Sequence, residues 1–138
     1  MRRVLFDSDV LLDVLAQRQP FIIASVQALN TVTQPEVQGY VAGHAVTNIF
    51  YILRRKVGSE TARELLSRLL HHLQIANVTD EVIRAALQSS MTDFEDAVTS
   101  EAAKAAGVEV IVTRNKPDFV ASTIPAILPE EFLATLSK

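Results

Sequence analysis

Two rhythms run along this chain: short unbroken apolar runs, and longer stripes of apolar residues at helical spacing. Val4-Leu5-Phe6 is a short apolar run bounded by charge, and it predicts a buried strand. It ends abruptly at Asp7-Ser8-Asp9, after which Val10, Leu11 and Val14 mark a short helix that must stop before Pro20. Ile22, Ile23, Val26 and Leu29 repeat the helical stripe. Residues 31–39 read as a loop punctuated by Pro35 and Gly39, Tyr40-Val41-Ala42 as a short strand, and Gly43-His44 as a turn out of it.

The strongest stripe follows. Val46, Ile49, Phe50, Leu53 and Val57 step through one helical face, which closes in Arg54-Arg55-Lys56 and Gly58. Ser59 is the expected cap of the next helix, with Ala62, Leu65, Leu66, Leu69, Leu70 and Leu73 facing inward. A third strand is expected within 73–78, and then a helix capped by Thr79 or Asp80 that carries Val82, Ile83, Ala86 and Leu87. Thr92-Asp93-Phe94-Glu95 has the form of a capping box, so another helix begins near Asp93 and runs to Gly107. Its apolar face is read as Phe94, Val98, Ala102 and Ala105. Residues 108–112 form a near-continuous apolar run, as a central parallel strand requires, and end in Thr113-Arg114-Asn115. Ile127-Leu128 suits an edge strand, and Pro129 opens a last helix with Phe132, Leu133 and Leu136 on its apolar face. Strands alternating with helices predict an α/β fold with a parallel sheet, in one domain spanning 1–138.

Composition narrows the function classes. A net charge of -3 argues against a nucleic-acid binder that is basic all over, though not against a local basic patch. With Cys at 0 there is no disulfide framework and no thiolate metal site. Three apolar residues before Asp7 are too few for a signal-peptide core, and no run approaches a membrane span. A soluble cytoplasmic protein is expected.

The candidate chemistry lies where strands end. Parallel strands bring their carboxyl ends to one edge, so Asp7-Ser8-Asp9 and Thr113-Arg114-Asn115, with Asp118 close behind, can converge there. Asp93 and Asp96 lie one turn apart at a helix start. Oxygen-rich clusters of this type suit Mg²⁺ or Mn²⁺. A plainer reading exists for each piece: Asp7 as a cap or turn residue, Asp9 as a helix cap, Asp13 as structural, Asp93 and Asp96 as acids favoured by the helix dipole. On the periodicity, Asp96 points away from the apolar face, yet Ser100 and Ala103 on its own row are small enough to admit a bulky neighbour. His44, His71 and His72 make no zinc set and are expected at the surface or an interface. Arg114 and Lys116 flank the acidic edge where a phosphate backbone would lie.

Together these residues resemble the PIN-domain family, metal-dependent ribonucleases that include the VapC-type toxins of bacterial toxin–antitoxin pairs. The resemblance spans nearly the whole chain. The stretch from Val4 to Asp13 resembles the family's first acidic motif, Asp96-Ala97-Val98 its central Asp-Ala-hydrophobic motif, and Thr113-Arg114-Asn115 with Asp118-Phe119 its late motif. It implies a three-layer sandwich, a short twisted parallel sheet flanked by helices. It implies Asp7 and Asp96 as catalytic metal ligands, joined by Asp93, Asn115 and Asp118, and supported by Ser8, Asp9, Asn48 and Thr113. Arg114 and Lys116 become RNA-binding residues, Mg²⁺ or Mn²⁺ the cofactor, RNA the substrate, and a small antitoxin the partner. A homodimer is expected on separate grounds, because the apolar helix from Thr47 to Val57 and the Leu-rich helix after it offer surplus surface. The departure is Asn48, which stands where many members carry a glutamate. Asn115 likewise stands where they often carry an acid. A PIN-fold module that binds RNA or protein with weak or no nuclease activity is therefore the alternative. The opening Asp-x-Asp also resembles haloacid-dehalogenase-type phosphatases, but Lys104 is misplaced for that chemistry and the chain lacks a cap.

Overall fold

The computed structural model describes residues 2–136. The first apolar run is a strand: β1 (Arg2–Phe6) buries Val4, Leu5 and Phe6 completely. In chain order follow α1 (Ser8–Leu15), α2 (Ile22–Asn30), β2 (Val37–Ala42), α3 (Gly43–Val57), α4 (Ser59–Leu69), β3 (Leu73–Ala76), α5 (Asp80–Leu87), α6 (Phe94–Ala105), β4 (Val110–Val112), β5 (Ala126–Ile127) and α7 (Pro129–Leu136). Short 3-10 turns occupy Thr31–Thr33 and Lys116–Phe119.

Every strand pair is parallel, in the order β3-β2-β1-β4-β5. Helix α2 packs on both α1 and α7, α3 on α1 and α4, and α5 on α6, and these helices flank the parallel sheet as the α/β reading requires. Phe6 on the sheet meets the fully buried Phe132 of α7 edge to face, with ring centroids 6.3 Å apart. Among the described residues, no helix is long and apolar enough to cross a membrane.

Strand order positions the site. From β1 the chain steps outward to β2 and β3, then crosses back through α5 and α6 to lay β4 on the other side of β1. The order therefore reverses between β1 and β4, and the carboxyl ends of these two strands are where open α/β sheets place their ligands. Phe6 is paired with Val112, so Asp7 and Thr113 leave neighbouring strands at the same level.

Several local expectations shift. Residues 37–39 belong to β2 and not to a loop, because Gly39 is a close-packing position inside the strand. A Cβ there would lie 2.6 Å from both Leu73 Cδ2 and Val32 Cγ1. Gly39→Ala is therefore expected to cost roughly 1–3 kcal/mol by overpacking, read as a lower urea midpoint with an unchanged slope. Helix α3 begins at Gly43, with no intervening turn. Its buried row is Ala45, Ile49 and Leu53, which leaves Val46 and Phe50 half-buried. Gly58, at φ 86°, joins α3 to α4, and Ser59 makes no side-chain cap. The cap of α6 is Asp93, one residue later than a capping box on Thr92 would place it. The last strand pairs Ala126 and Ile127 with Ile111 and Val112, one residue earlier than the sequence suggested.

The face of α6 differs most. Phe94 is 48% exposed and Ala105 is exposed, while Ala97, Val98, Thr99, Ser100, Ala102 and Ala103 are buried. Small side chains let the helix lie close over its neighbours, and Ser100 and Ser122 share a 2.6 Å hydrogen bond there. The row that starts at Asp96 and continues through Ser100 and Ala103 is thus an inward-facing row.

Candidate active site

Asp7 is the first residue past β1 and also the N-cap of α1. Its extended backbone (φ -67°, ψ 156°) lets the side chain fold back, so that Oδ1 accepts the Ser8 backbone N–H at 2.9 Å. Its own N–H donates to the Val112 carbonyl at 2.9 Å, which extends the β1–β4 ladder by one rung. From β4, the fully buried Thr113 hydroxyl donates to Asp7 Oδ2 at 2.8 Å. The same hydroxyl accepts the Asn115 backbone N–H at 3.0 Å. Asp7 is 8% exposed, a carboxyl group held between two strand ends.

Asp9 does not cap the helix, as the sequence suggested; Asp7 takes that place, and Asp9 sits in the first turn. Its Oδ2 accepts the Arg114 backbone N–H at 3.2 Å and the Asn115 side-chain amide at 3.0 Å. Its Oδ1 is buried with no hydrogen-bond partner. On α6, Asp93 Oδ1 accepts the Asp96 N–H at 2.9 Å, which fixes the first turn. The pair's opposing roles are clear: Asp93 is exposed and caps, while Asp96 is half-buried on the inward row.

These carboxyl groups repel one another. Burial pushes Asp7 up from 3.8 to about 7, the Asp9 charge adds to this, and the Thr113 and Ser8 hydrogen bonds pull partly back. Asp96 also rises from 3.8 to about 7, through burial first and then the charges of Asp7, Asp93, Asp118 and Glu95. Asp9 is raised by burial, against the pull of Arg114. Two acids poised near neutrality, with an orphaned carboxylate oxygen beside them, form a site short of positive charge.

The all-oxygen donor set fits a hard divalent cation. Among the described residues, no three acidic or imidazole side chains form a ready-made cage. That is compatible with Mg²⁺, which commonly keeps several waters and takes one or two carboxylates.

The remaining residues named from the sequence divide. The Ser8 N–H and the Thr113 hydroxyl bond Asp7 directly, and Asn115 joins the network through Thr113 and ties Asp9 to it. Asp118, in the 3-10 turn, reaches Asp96 through its charge. Asn48 lies one turn beyond His44 on α3, and among the described residues no hydrogen bond ties it to the network. The Arg114 guanidinium is engaged by Asp13, and Lys116 pairs with Glu131 at 3.0 Å.

Three further residues belong to the picture. Asp13 is fully buried on α1, and its i,i+4 spacing from Asp9 was the available signal that both acids face the same loop. Glu95 adds negative charge at both Asp7 and Asp96. His44 lies against α6, its Nε2 within 3.2 Å of the Glu95 carbonyl and of the Thr99 hydroxyl. No local pattern could have revealed that contact, because it bridges residues 55 apart.

A sequence profile described as the PIN domain matches residues 3–117. The chain belongs to the PIN-domain family. The matched span of this PIN domain includes Asp7, Asp96 and Asn115 and stops one residue before Asp118. Solved structures share the fold at low identity. A toxin–antitoxin complex from Klebsiella pneumoniae superposes with a TM-score of 0.70 at 21% identity, over 91% of this chain and 97% of that one. DNA-bound VapBC from Salmonella typhimurium gives 0.69 at 14% identity, over 94% and 99%. The sarcin–ricin loop cleaving VapC toxin from Mycobacterium tuberculosis gives 0.64 at 13% identity, over 78% and 86%. No curated protein matches the chain.

Proposed function

We propose that this PIN domain is an endoribonuclease dependent on Mg²⁺ or Mn²⁺, acting as the toxin of a toxin–antitoxin pair. The observation that carries the reading is Asp7 at the β1–β4 switch point with Asp96 near enough to feel its charge, both raised to about 7 by burial first and then by neighbouring carboxylates. Its support is family membership, together with similar folds that are described as toxin–antitoxin complexes and, in one case, as a sarcin–ricin loop cleaving toxin.

In this reading Asp7 and Asp96 hold the cation, and Asp93, Asn115 and Asp118 reach it through water. Held by Asp7 and Asp96, a divalent cation would supply activation of water and neutralisation of charge at the phosphodiester. Thr113 holds Asp7 by its hydroxyl, the Ser8 N–H holds the other Asp7 oxygen, and Asn115 orients Asp9. Lys116, with 41% of its side chain exposed, can turn from Glu131 to an RNA phosphate. A small antitoxin is the proposed protein partner and the cytoplasm the proposed compartment. A homodimer is proposed through α3, whose Tyr51 and Ile52 are 50% and 44% exposed beside a groove of about 400 Å³ against α4. Light scattering at micromolar concentration is expected to give twice the chain mass, and a monomer would remove the dimer.

The test of the function is direct. Mn²⁺ at about 100 times its Kd is expected to stabilise the fold by about 2.7 kcal/mol, read as a raised Tm, and to switch on cleavage of single-stranded RNA. Mn²⁺-dependent stabilisation without cleavage would favour the second reading, a PIN-fold RNA- or protein-binding module. The neutral Asn48 and Asn115 side chains, which supply no charge, are what motivate that alternative. The absence of any metal effect and of any cleavage would overturn the nuclease.

A further inference from the structure

Arg114 adjoins the acidic network, yet its side chain is anchored elsewhere. Nε and Nη2 form a fork on Asp13, at 2.8 Å to Oδ2 and 3.1 Å to Oδ1. Asp13 is fully buried, and its Oδ2 also accepts the Ser25 hydroxyl of α2 at 2.9 Å. The guanidinium carbon lies 3.8 Å from the centre of the Phe21 ring, at the N-cap of α2. A two-pronged bond to a buried carboxylate, covered by an aromatic face, holds a planar guanidinium in one orientation. Only 23% of the Arg114 side chain remains exposed.

The backbone at the same residue does different work. The Arg114 N–H and the Asn115 amide both meet Asp9 Oδ2, and the preceding Thr113 hydroxyl meets Asp7 Oδ2. Three successive residues therefore deliver donors to two acids, and the middle one is tied by its side chain to the α1–α2 pair.

We infer that the Asp13–Arg114 clamp, closed by Ser25 and Phe21, is a positioning device that sets the 113–115 loop so that Thr113 and Asn115 hold Asp7 and Asp9. Arg114 is then a positioning residue and not a contact for RNA phosphate. The inference rests on the nuclease reading only where it concerns metal affinity and cleavage; the placement of the loop stands apart from it.

Arg114→Lys keeps the charge and removes the fork. In the metal-free protein it is expected to speed hydrogen exchange at the backbone amides of residues 114 and 115 by about tenfold or more. Mn²⁺ affinity by calorimetry should fall roughly 10–100-fold, the usual cost of losing a group that orients a ligand. Cleavage should lose kcat with KM within about twofold of the parent. Ser25→Ala, which removes one hydrogen bond and no charge, should shift exchange and Mn²⁺ affinity in the same direction by a few-fold, and it keeps the test open if the lysine variant folds poorly. Unchanged exchange and unchanged Mn²⁺ affinity in both variants would overturn the clamp, and a raised KM alone would make Arg114 a phosphate contact. A parent protein that neither binds Mn²⁺ nor cuts RNA would sink the nuclease, while the exchange measurement would still decide the clamp.

Discussion

Asp7→Asn is expected to slow RNA cleavage on the order of 10³-fold or more, the scale on which loss of one preorganised electrostatic group is felt, and at the same time to raise the Tm of the metal-free protein. The two effects have one cause. At pH 8 the parent carries a carboxylate at a position only 8% exposed, opposed by the nearby charge of Asp9. Asparagine has nearly the same shape, and its oxygen can still accept the Ser8 N–H, so the substitution removes a buried charge without opening a cavity. The gain should be on the order of 5 °C for a domain of this size. The lost charge is the one a divalent cation needs. Asp96→Asn should abolish cleavage similarly, with a smaller gain in Tm because that residue is half in solvent and its repulsion is screened. Cutting that survives both substitutions, or a Tm that drops in Asp7→Asn, would count against the assignment.

The pH dependence of metal affinity should be nearly as large. Asp7 and Asp96 both sit at about 7 in the fold, against 3.8 in a free chain. Binding a cation requires both to lose their protons, so below pH 7 the Mn²⁺ association constant should climb by up to about 100-fold per pH unit and flatten above neutrality. Stability without metal runs the other way. Between pH 3.8 and about 7 the folded state keeps protons that the unfolded chain has released, and linkage then makes stability fall as pH rises through that window. The contribution is fully present below 3.8 and gone above about 7, and Asp7 carries more of it than the half-exposed Asp96. Calorimetric titrations with Mn²⁺ at pH 5.5, 6.5 and 7.5 measure the first effect, and melts without metal across the same range measure the second. An affinity that is flat with pH would mean the two acids do not hold the ion.

Much of the frame was legible before the structure. Hydrophobic runs identified β1 and β4, and the stripe from Val46 to Val57 identified α3, because burial on both faces of a strand or one face of a helix leaves a periodic trace. Asp7, Asp96 and Thr113 stood out as a set, through three motifs in the family's order, since singly an acid after a strand or at a helix start is most often a cap. Other parts left no local trace. Gly39 looked like loop punctuation, although the reason for glycine is the space left by Leu73 and Val32, residues brought to it only by folding. Asp9 looked like a cap because capping is the commonest task of an acid after a strand. Its partners, Arg114 and Asn115, lie more than 100 residues away.

By itself, then, the sequence determined the order of strands and helices, the family, and the short list of acids. Which of those acids matter to one another was decided by tertiary structure alone. The register that pairs Phe6 with Val112 sets Thr113 against Asp7. The crossover through α6 brings Asp96 within reach of the Asp7 charge. The reason is physical: a side chain's type is local, but its desolvation and its repulsion depend on distance and burial, and those exist only once the strands are paired.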